Sequence, residues 1–260
     1  MKPFLTDILK VSSCVAIIHI LQTSPFPDDK TGSITTDTGS VAIGGGCKKG
    51  LPPPLIPGRK TLFLDLDETL VHSQVGAPPE HYDFTVHPLI DGQEITFYVL
   101  RRPEVEELLR AAAKSYEVVV FTAGLEEYAS RVLDRLDPSG EMIAHRLYRD
   151  SCREVEGGKL VKDLAGLGRD LAKVVIVDDN PGSYTLQMEN AIPVAPFVDD
   201  LSGDRELQRV MRFLEFASRF EDTREAVAFF LAGEDRRPVM SPVMSSGSGI
   251  RNEIFKFDDR

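Results

Sequence analysis

Apolar residues in the middle of the chain fall into two patterns. Three short uninterrupted runs, Thr61-Leu-Phe-Leu64, Val118-Val-Val-Phe121 and Val174-Val-Ile-Val177, are mostly aliphatic and β-branched. Runs of this kind predict strands covered on both faces, as in a parallel sheet. Elsewhere the apolar positions recur at helical spacing. Val105, Leu108, Leu109 and Ala112 share one face, with Pro103 suited to the first turn. Leu125, Tyr128, Val132, Leu133 and Leu136 form a second stripe. Leu207, Val210, Met211 and Leu214 predict a late helix, and residues 226–231 a final one. Strands alternating with helices predict an α/β fold, a parallel sheet flanked by helices whose polar strand-end residues gather along one carboxyl edge.

The segment from Val71 to Leu100 is not required by that alternation. Within it residues 82–86 and 94–100 alternate in part, and Asp91-Gly92 between them predicts a hairpin. Residues 143–148 predict another strand, which runs into a candidate hairpin at Glu154-Val-Glu-Gly-Gly-Lys159. These pieces predict a small inserted β module at the rim of the sheet edge.

The two ends differ from this middle. Residues 1–58 read as a disordered or weakly helical segment and linker, rich in Gly, Thr, Asp and Pro from residue 28 onward. The apolar stretch within residues 15–21 is too short to span a bilayer, which leaves a targeting signal or membrane contact through residues 1–21 open. Residues 59–233 form the folded domain, and residues 234–260 read as a mobile tail. The net charge of −11 argues against general nucleic-acid binding, which needs a positive surface. Cys14, Cys47 and Cys152 make no metal-ligand spacing and no even disulfide set, which suits a reducing compartment.

Chemistry enters at the ends of the three apolar runs. The first is followed by Asp65-Leu-Asp-Glu-Thr69, the second by Thr122 and the third by Asp178-Asp179. Alternate strand residues share a side, so Asp65 and Asp67 start on the same one. A nucleophilic carboxylate, a second carboxyl able to give a proton, and oxygen ligands for a hard cation such as Mg²⁺ would then meet in one volume. Phosphoryl transfer needs that set, together with a fixed cation for the phosphate oxygens. Lys159, Lys162 and Lys173 all compete for the last role, and Arg149 is a further candidate. His72 follows the acidic loop and reads as a structural hydrogen-bonding residue.

Taken together, Asp65-Leu-Asp-Glu-Thr-Leu-Val-His-Ser73, Arg101-Arg-Pro103, Phe121-Thr-Ala123, Leu147-Tyr-Arg-Asp-Ser-Cys152, Val161-Lys-Asp-Leu164, Val177-Asp-Asp-Asn-Pro181 and Asn190-Ala-Ile-Pro-Val194 resemble a known family in their order. They are similar to the FCP/SCP-like small phosphatases of the RNA polymerase II carboxy-terminal domain, within the haloacid dehalogenase superfamily. The resemblance runs from about Arg59 to Gly233 and implies that superfamily's Rossmann-like sheet. It implies that Asp65 attacks phosphorus, that Asp67 protonates the leaving oxygen and then activates water, and that Thr69 steadies the loop. Thr122 would hold a phosphate oxygen and Lys162 neutralise it. Mg²⁺ would be held by Asp65, the backbone oxygen of Asp67, and Asp179, with Asp178 as a ligand or close partner. Asp179 stands where relatives often carry Asn. Arg149 would orient substrate from the inserted module, and Leu125, Tyr128, Ile90 and Phe97 would line an apolar pocket for a residue beside the phosphoserine. Val75 and Pro88 depart from the pocket's usual composition.

The expected function is therefore a Mg²⁺-dependent protein serine/threonine phosphatase that forms an aspartyl-phosphate, monomeric, nuclear or cytoplasmic, and not excluded from the nuclear envelope. Its expected substrate is the RNA polymerase II carboxy-terminal domain or a related phosphoprotein. The alternative is a non-catalytic phosphoprotein-binding or import-receptor-like member of the same fold.

Overall fold

The computed structural model describes residues 50–199 and 203–235. The readings of residues 1–49 and of the tail beyond 235 lie outside the described residues. The three apolar runs are strands of one parallel sheet. Its order is β12 (Ala191–Pro193), β11 (Val174–Asp178), β1 (Lys60–Leu64), β7 (Tyr116–Phe121) and β8 (His145–Leu147). β1 sits at the centre, with Phe63 opposite Ile176 on one side and Val119 on the other.

Alternation within these continuous runs feeds two separate cores. Leu62, Leu64, Val118, Val120, Val175 and Val177 join one apolar cluster, while Phe63, Val119, Phe121 and Ile176 join another. That is why Thr61, buried with its hydroxyl donating to Glu117 at 2.8 Å, is the one polar position in the three runs: both faces are dry. The first cluster takes in four helices, α1 (Val105–Ser115), α2 (Glu126–Leu136), α3 (Glu206–Ala217) and α4 (Thr223–Asp235). The second face is covered by short 3-10 turns, including Leu164–Leu167 and Pro181–Tyr184. Each predicted stripe is the buried face of its helix. Val105, Leu108, Leu109 and Ala112 are buried in α1, and Tyr128, Val132, Leu133 and Leu136 in α2. In α3, Leu207, Val210 and Leu214 are buried with Phe213, while Met211 is only partly covered. Pro103 lies outside the first turn of α1, because Glu104 between them takes a left-handed backbone, φ 69°.

The segment after the acidic loop folds as an antiparallel sheet of β2 (Val71–Val75), β6 (Phe97–Arg101) and β3 (Phe84–Val86), in the order β2-β6-β3. Its tip is a hairpin of β4 (Leu89–Ile90) and β5 (Gln93–Glu94). The two residues that close it, Asp91 and Gly92, have φ 50° and 76°, the left-handed pair that a tight two-residue turn demands. The expected hairpin between residues 82–86 and 94–100 is thus one pairing of a three-stranded sheet.

One expectation needs correction. The strand predicted at residues 143–148 does not belong to an inserted module. β8 pairs in parallel with β7, Val119 opposite His145, and so extends the main sheet. β9 (Arg153–Val155) and β10 (Lys159–Val161) do form the expected antiparallel hairpin.

Candidate active site

The acidic loop begins as a continuation of β1. The Asp65 N–H donates to the Val177 carbonyl at 3.0 Å, which keeps this residue in the parallel ladder. The chain then reverses: the Leu70 and Val71 N–H groups both donate to the Leu66 carbonyl, at 2.8 and 3.1 Å. Glu68 takes a left-handed backbone, φ 59°, a conformation that costs energy for a residue with a Cβ. Its neighbours hold it there. The Phe197 N–H donates to the Glu68 carbonyl at 2.8 Å, and the Arg102 guanidinium faces the carbonyls of Glu68 and Thr69 at 3.4 and 3.2 Å.

The lysine competition resolves geometrically. Lys162 follows β10 and is buried, with Nζ donating to Asp65 Oδ1 at 2.5 Å and to Asp178 Oδ2 at 2.6 Å. Lys173 instead pairs with Glu221 at 2.8 Å, and Lys159 is exposed on the β9–β10 hairpin. Burial disfavours the Lys162 ammonium, yet the charges of Asp65 and Asp178 outweigh it and raise its pKa well above the usual value.

The late acids differ in their surroundings. Asp178 is fully buried, and its second oxygen accepts from the Asn180 N–H at 2.8 Å. Asp179 accepts from Thr69 Oγ1 at 3.2 Å, and Thr69 Oγ1 also lies 3.5 Å from Asp65 Oδ2. Asp65, Asp178 and Asp179 each offer one oxygen, all within 4.8 Å of one another. Burial and then the Asp65 charge raise the pKa of both Asp178 and Asp179, the latter to about 8. Full ionisation of three carboxyl groups against one ammonium would leave excess negative charge in a dry volume. A hard divalent cation would relieve it, and an all-oxygen donor set suits Mg²⁺.

On the other side of Asp65, Thr122 is buried at the end of β7, and its Oγ1 accepts from the Gly124 N–H at 2.8 Å. A Cβ at Gly124 would stand 3.1 Å from Thr122 Oγ1 and 3.4 Å from Asp67 Oδ2, so both groups border the same small space. Asp67 Oδ1 accepts from the Tyr128 hydroxyl at 2.6 Å. The Tyr128 ring packs on Phe97, centroids 4.5 Å apart, with Ile90 and Leu125 in the same apolar cluster. Arg149 does not project from an inserted module; it follows β8 of the main sheet. Its Nε donates to the Ala123 carbonyl at 2.8 Å and its N–H to the Gly124 carbonyl at 3.0 Å, tying it to the loop that carries Thr122.

His72 is buried on β2, with Nδ1 3.2 Å from Glu68 Oε1 and Nε2 3.2 Å from the Gln74 amide. That is the structural hydrogen-bonding place expected for it. Arg102, Gly124 and the polar end of Tyr128 belong to the site although the pattern of residue types did not mark them. Asp65, Asp67, Thr69, Thr122, Lys162, Asp178 and Asp179 converge at the carboxyl edge from four separate stretches of chain.

The fold is thus an α/β parallel sheet with paired aspartates after its central strand and a buried lysine bridging to the next. The profile of the NLI interacting factor-like phosphatase family matches residues 60–224, and the chain belongs to that family. A probable C-terminal domain small phosphatase of Dictyostelium discoideum is 48% identical over 174 residues, covering 66% of this chain and 56% of that protein. A human CTD small phosphatase-like protein is 47% identical over 165 residues, covering 64% of this chain and 58% of its own length. Human carboxy-terminal domain RNA polymerase II polypeptide A small phosphatase 1 is 46% identical over 161 residues, with coverages of 62% and 60%. The match therefore spans somewhat more than half of these relatives. A solved structure of Fcp1, an essential RNA polymerase II CTD phosphatase, is similar with TM-score 0.45 at 23% identity, covering 72% of this chain and 56% of its own. Among the described residues no helix is long and apolar enough to cross a membrane.

Proposed function

We propose that the chain is a Mg²⁺-dependent protein serine/threonine phosphatase that works through an aspartyl-phosphate on Asp65. The observation that carries the reading is that Asp65 and Asp67 stand in one buried loop in different surroundings. Asp65 Oδ1 contacts the Lys162 ammonium at 2.5 Å, while Asp67 Oδ1 is held by a neutral phenol at 2.6 Å. Two carboxyl groups in such different surroundings can take different parts, one as nucleophile and one as proton carrier.

In the first half-reaction an Asp65 oxygen bonds to phosphorus as the phosphorus–oxygen bond to the serine or threonine breaks. The departing oxygen takes its proton from Asp67. In the second, a water gives its proton to Asp67 and attacks phosphorus, releasing inorganic phosphate and free Asp65. Lys162 is positively charged throughout and faces the region where negative charge accumulates, with Thr122 as the neutral donor opposite. Thr69 joins Asp65 to Asp179 and keeps the loop in register with the end of β11. Asp65, Asp179 and Asp178, with the backbone oxygen of Asp67, would hold Mg²⁺, which when bound supplies neutralisation of the phosphate charge.

The proposed substrate is a phosphoserine of the RNA polymerase II carboxy-terminal domain or a related phosphoprotein. It is suggested by relatives that are named as phosphatases of that domain and by the apolar cluster of Ile90, Phe97, Leu125 and Tyr128 beside Asp67. Action in the nucleus follows from that substrate. The test is turnover of p-nitrophenyl phosphate and of a panel of phosphoserine peptides, with and without Mg²⁺, by the whole chain and by Asp65→Asn. Turnover that needs Mg²⁺ and vanishes with Asp65→Asn is the expected result. Phosphopeptide binding without any turnover would replace the reading by a non-catalytic one.

A further inference from the structure

We propose that Tyr128 is a positioning residue for Asp67: its hydroxyl, backed by Ser73, engages one carboxyl oxygen so that the other faces the reacting group. The inference deepens the phosphatase reading and rests on it. The Tyr128 hydroxyl donates to Asp67 Oδ1 at 2.6 Å, and Ser73 Oγ lies 2.6 Å from the same hydroxyl. A phenol has one proton. With that proton directed at Asp67, the Ser73 hydroxyl donates to the phenol oxygen, and the bonds run from Ser73 to Tyr128 to Asp67.

All three residues are buried, and the hydrogen bonds join two layers of the fold. Ser73 lies on β2, Tyr128 on α2, and Asp67 in the loop between β1 and β2. The Phe97 ring, on β6, packs against that of Tyr128 and limits its movement. Series of buried hydrogen bonds reinforce one another and hold a single arrangement.

The consequence concerns which Asp67 oxygen works. When Asp67 carries the proton it gives to the leaving group, the oxygen that accepts from the phenol is the carbonyl-type one, which puts the transferable proton on Oδ2. That oxygen borders the small space kept open by the absent side chain of Gly124, and Thr122 Oγ1 borders the same space. Tyr128 therefore sets the direction in which the proton leaves, besides any contact of its ring with substrate.

The test separates this role from pocket lining. Nitrophenolate leaves readily without a proton, whereas a serine oxygen needs one. Tyr128→Phe in the whole chain should lower kcat on a phosphoserine peptide about tenfold more than on p-nitrophenyl phosphate, a fraction of the roughly 10²–10⁴-fold supplied by a general acid. Ser73→Ala should shift the same ratio in the same direction by less. In an Asp67→Asn background, Tyr128→Phe should change the ratio no further, because both act through one proton. Equal losses on both substrates, or a rise confined to KM for the peptide, would overturn the proposal. Should Tyr128→Phe lose its cooperative melting transition, the Ser73→Ala ratio decides alone. If the unmodified chain turns over neither substrate, the phosphatase reading itself falls, and the inference with it.

Discussion

The buried Arg102 and the half-buried Asp204 form an ion pair, 102 residues apart in sequence, that reaches the acidic loop. Arg102 Nε and Nη2 contact the Asp204 carboxylate at 3.0 and 2.7 Å, and Nη2 also donates to the Ala195 carbonyl at 2.7 Å. The remaining nitrogen faces the Glu68 and Thr69 carbonyls, and the Phe197 ring lies 5.5 Å from the guanidinium. One cation thereby joins the left-handed turn at Glu68, the chain after β12, and the start of α3, where Asp204 also accepts from the Glu206 N–H. Arg102→Ala should cost about 3 kcal/mol in urea unfolding, the low end of what breaking a buried pair costs, because the half-buried Asp204 keeps some access to water. Because three backbone carbonyls also lose a donor, and those of Thr69 and Ala195 have no other among the described residues, replacing both Arg102 and Asp204 by apolar residues should fail to restore stability. Recovery in the double variant would show that the carbonyl contacts contribute little.

The cation site makes its own prediction at fixed pH. Asp178 and Asp179 hold protons more tightly than usual because burial and the Asp65 charge oppose their ionisation. Mg²⁺ should therefore stabilise the protein against heat, by about 2.7 kcal/mol at a hundredfold excess over its Kd, and EDTA should reverse the effect. Asp179→Ala should abolish most of the Mg²⁺ dependence of the melting temperature. Lys162→Met removes the sole cation bonded to both Asp65 and Asp178 among the described residues. It should lower kcat by about 10²–10³-fold, as loss of one fixed transition-state donor does elsewhere.

How far the residues alone led is clear from which elements they revealed. The central strands were legible because both their faces are dry, which leaves uninterrupted apolar runs. The chemistry was legible because the acids adjoin those runs. β2 was harder to read: Val71-His-Ser-Gln-Val75 places buried polar groups where apolar ones would be expected, and only the partners Glu68 and Tyr128 make them tolerable. β8 was misplaced because three half-buried residues carry no periodicity, and its parallel pairing with β7 is a long-range fact. Arg101 and Arg102 look alike in sequence. The first ends β6 at the surface beside Asp83 and Glu106, while the second is buried, a difference decided by Asp204 far along the chain.

Gly124 marks a close approach. A methyl group there would crowd Thr122 Oγ1 at 3.1 Å and come into contact with Asp67 Oδ2 at 3.4 Å. Gly124→Ala should cost only about 1–3 kcal/mol in stability, typical of mild overpacking, yet reduce turnover disproportionately. Turnover unchanged from the original chain, measured on p-nitrophenyl phosphate, would place the reacting group elsewhere.

Acid sensitivity should reside partly in Asp137, at the end of α2. Burial alone would raise the pKa of its carboxyl. The N–H groups of Ile143, Met142 and Glu141, at 2.8, 3.0 and 3.2 Å, and the Ser139 hydroxyl outweigh that effect and lower it. A carboxyl with a depressed folded-state pKa contributes stability that is present above its unfolded value and lost as pH falls through the folded one. The stability of the protein should therefore decline below about pH 4, the ordinary carboxyl range. Asp137→Asn should lower stability at pH 7 by about 1–3 kcal/mol, since an amide accepts these bonds less well than an anion. The same variant should have a shallower decline in acid, so the two unfolding curves converge as pH drops. Parallel curves from pH 7 to pH 3 would show that the Asp137 charge is not what orders residues 137–143 between α2 and β8.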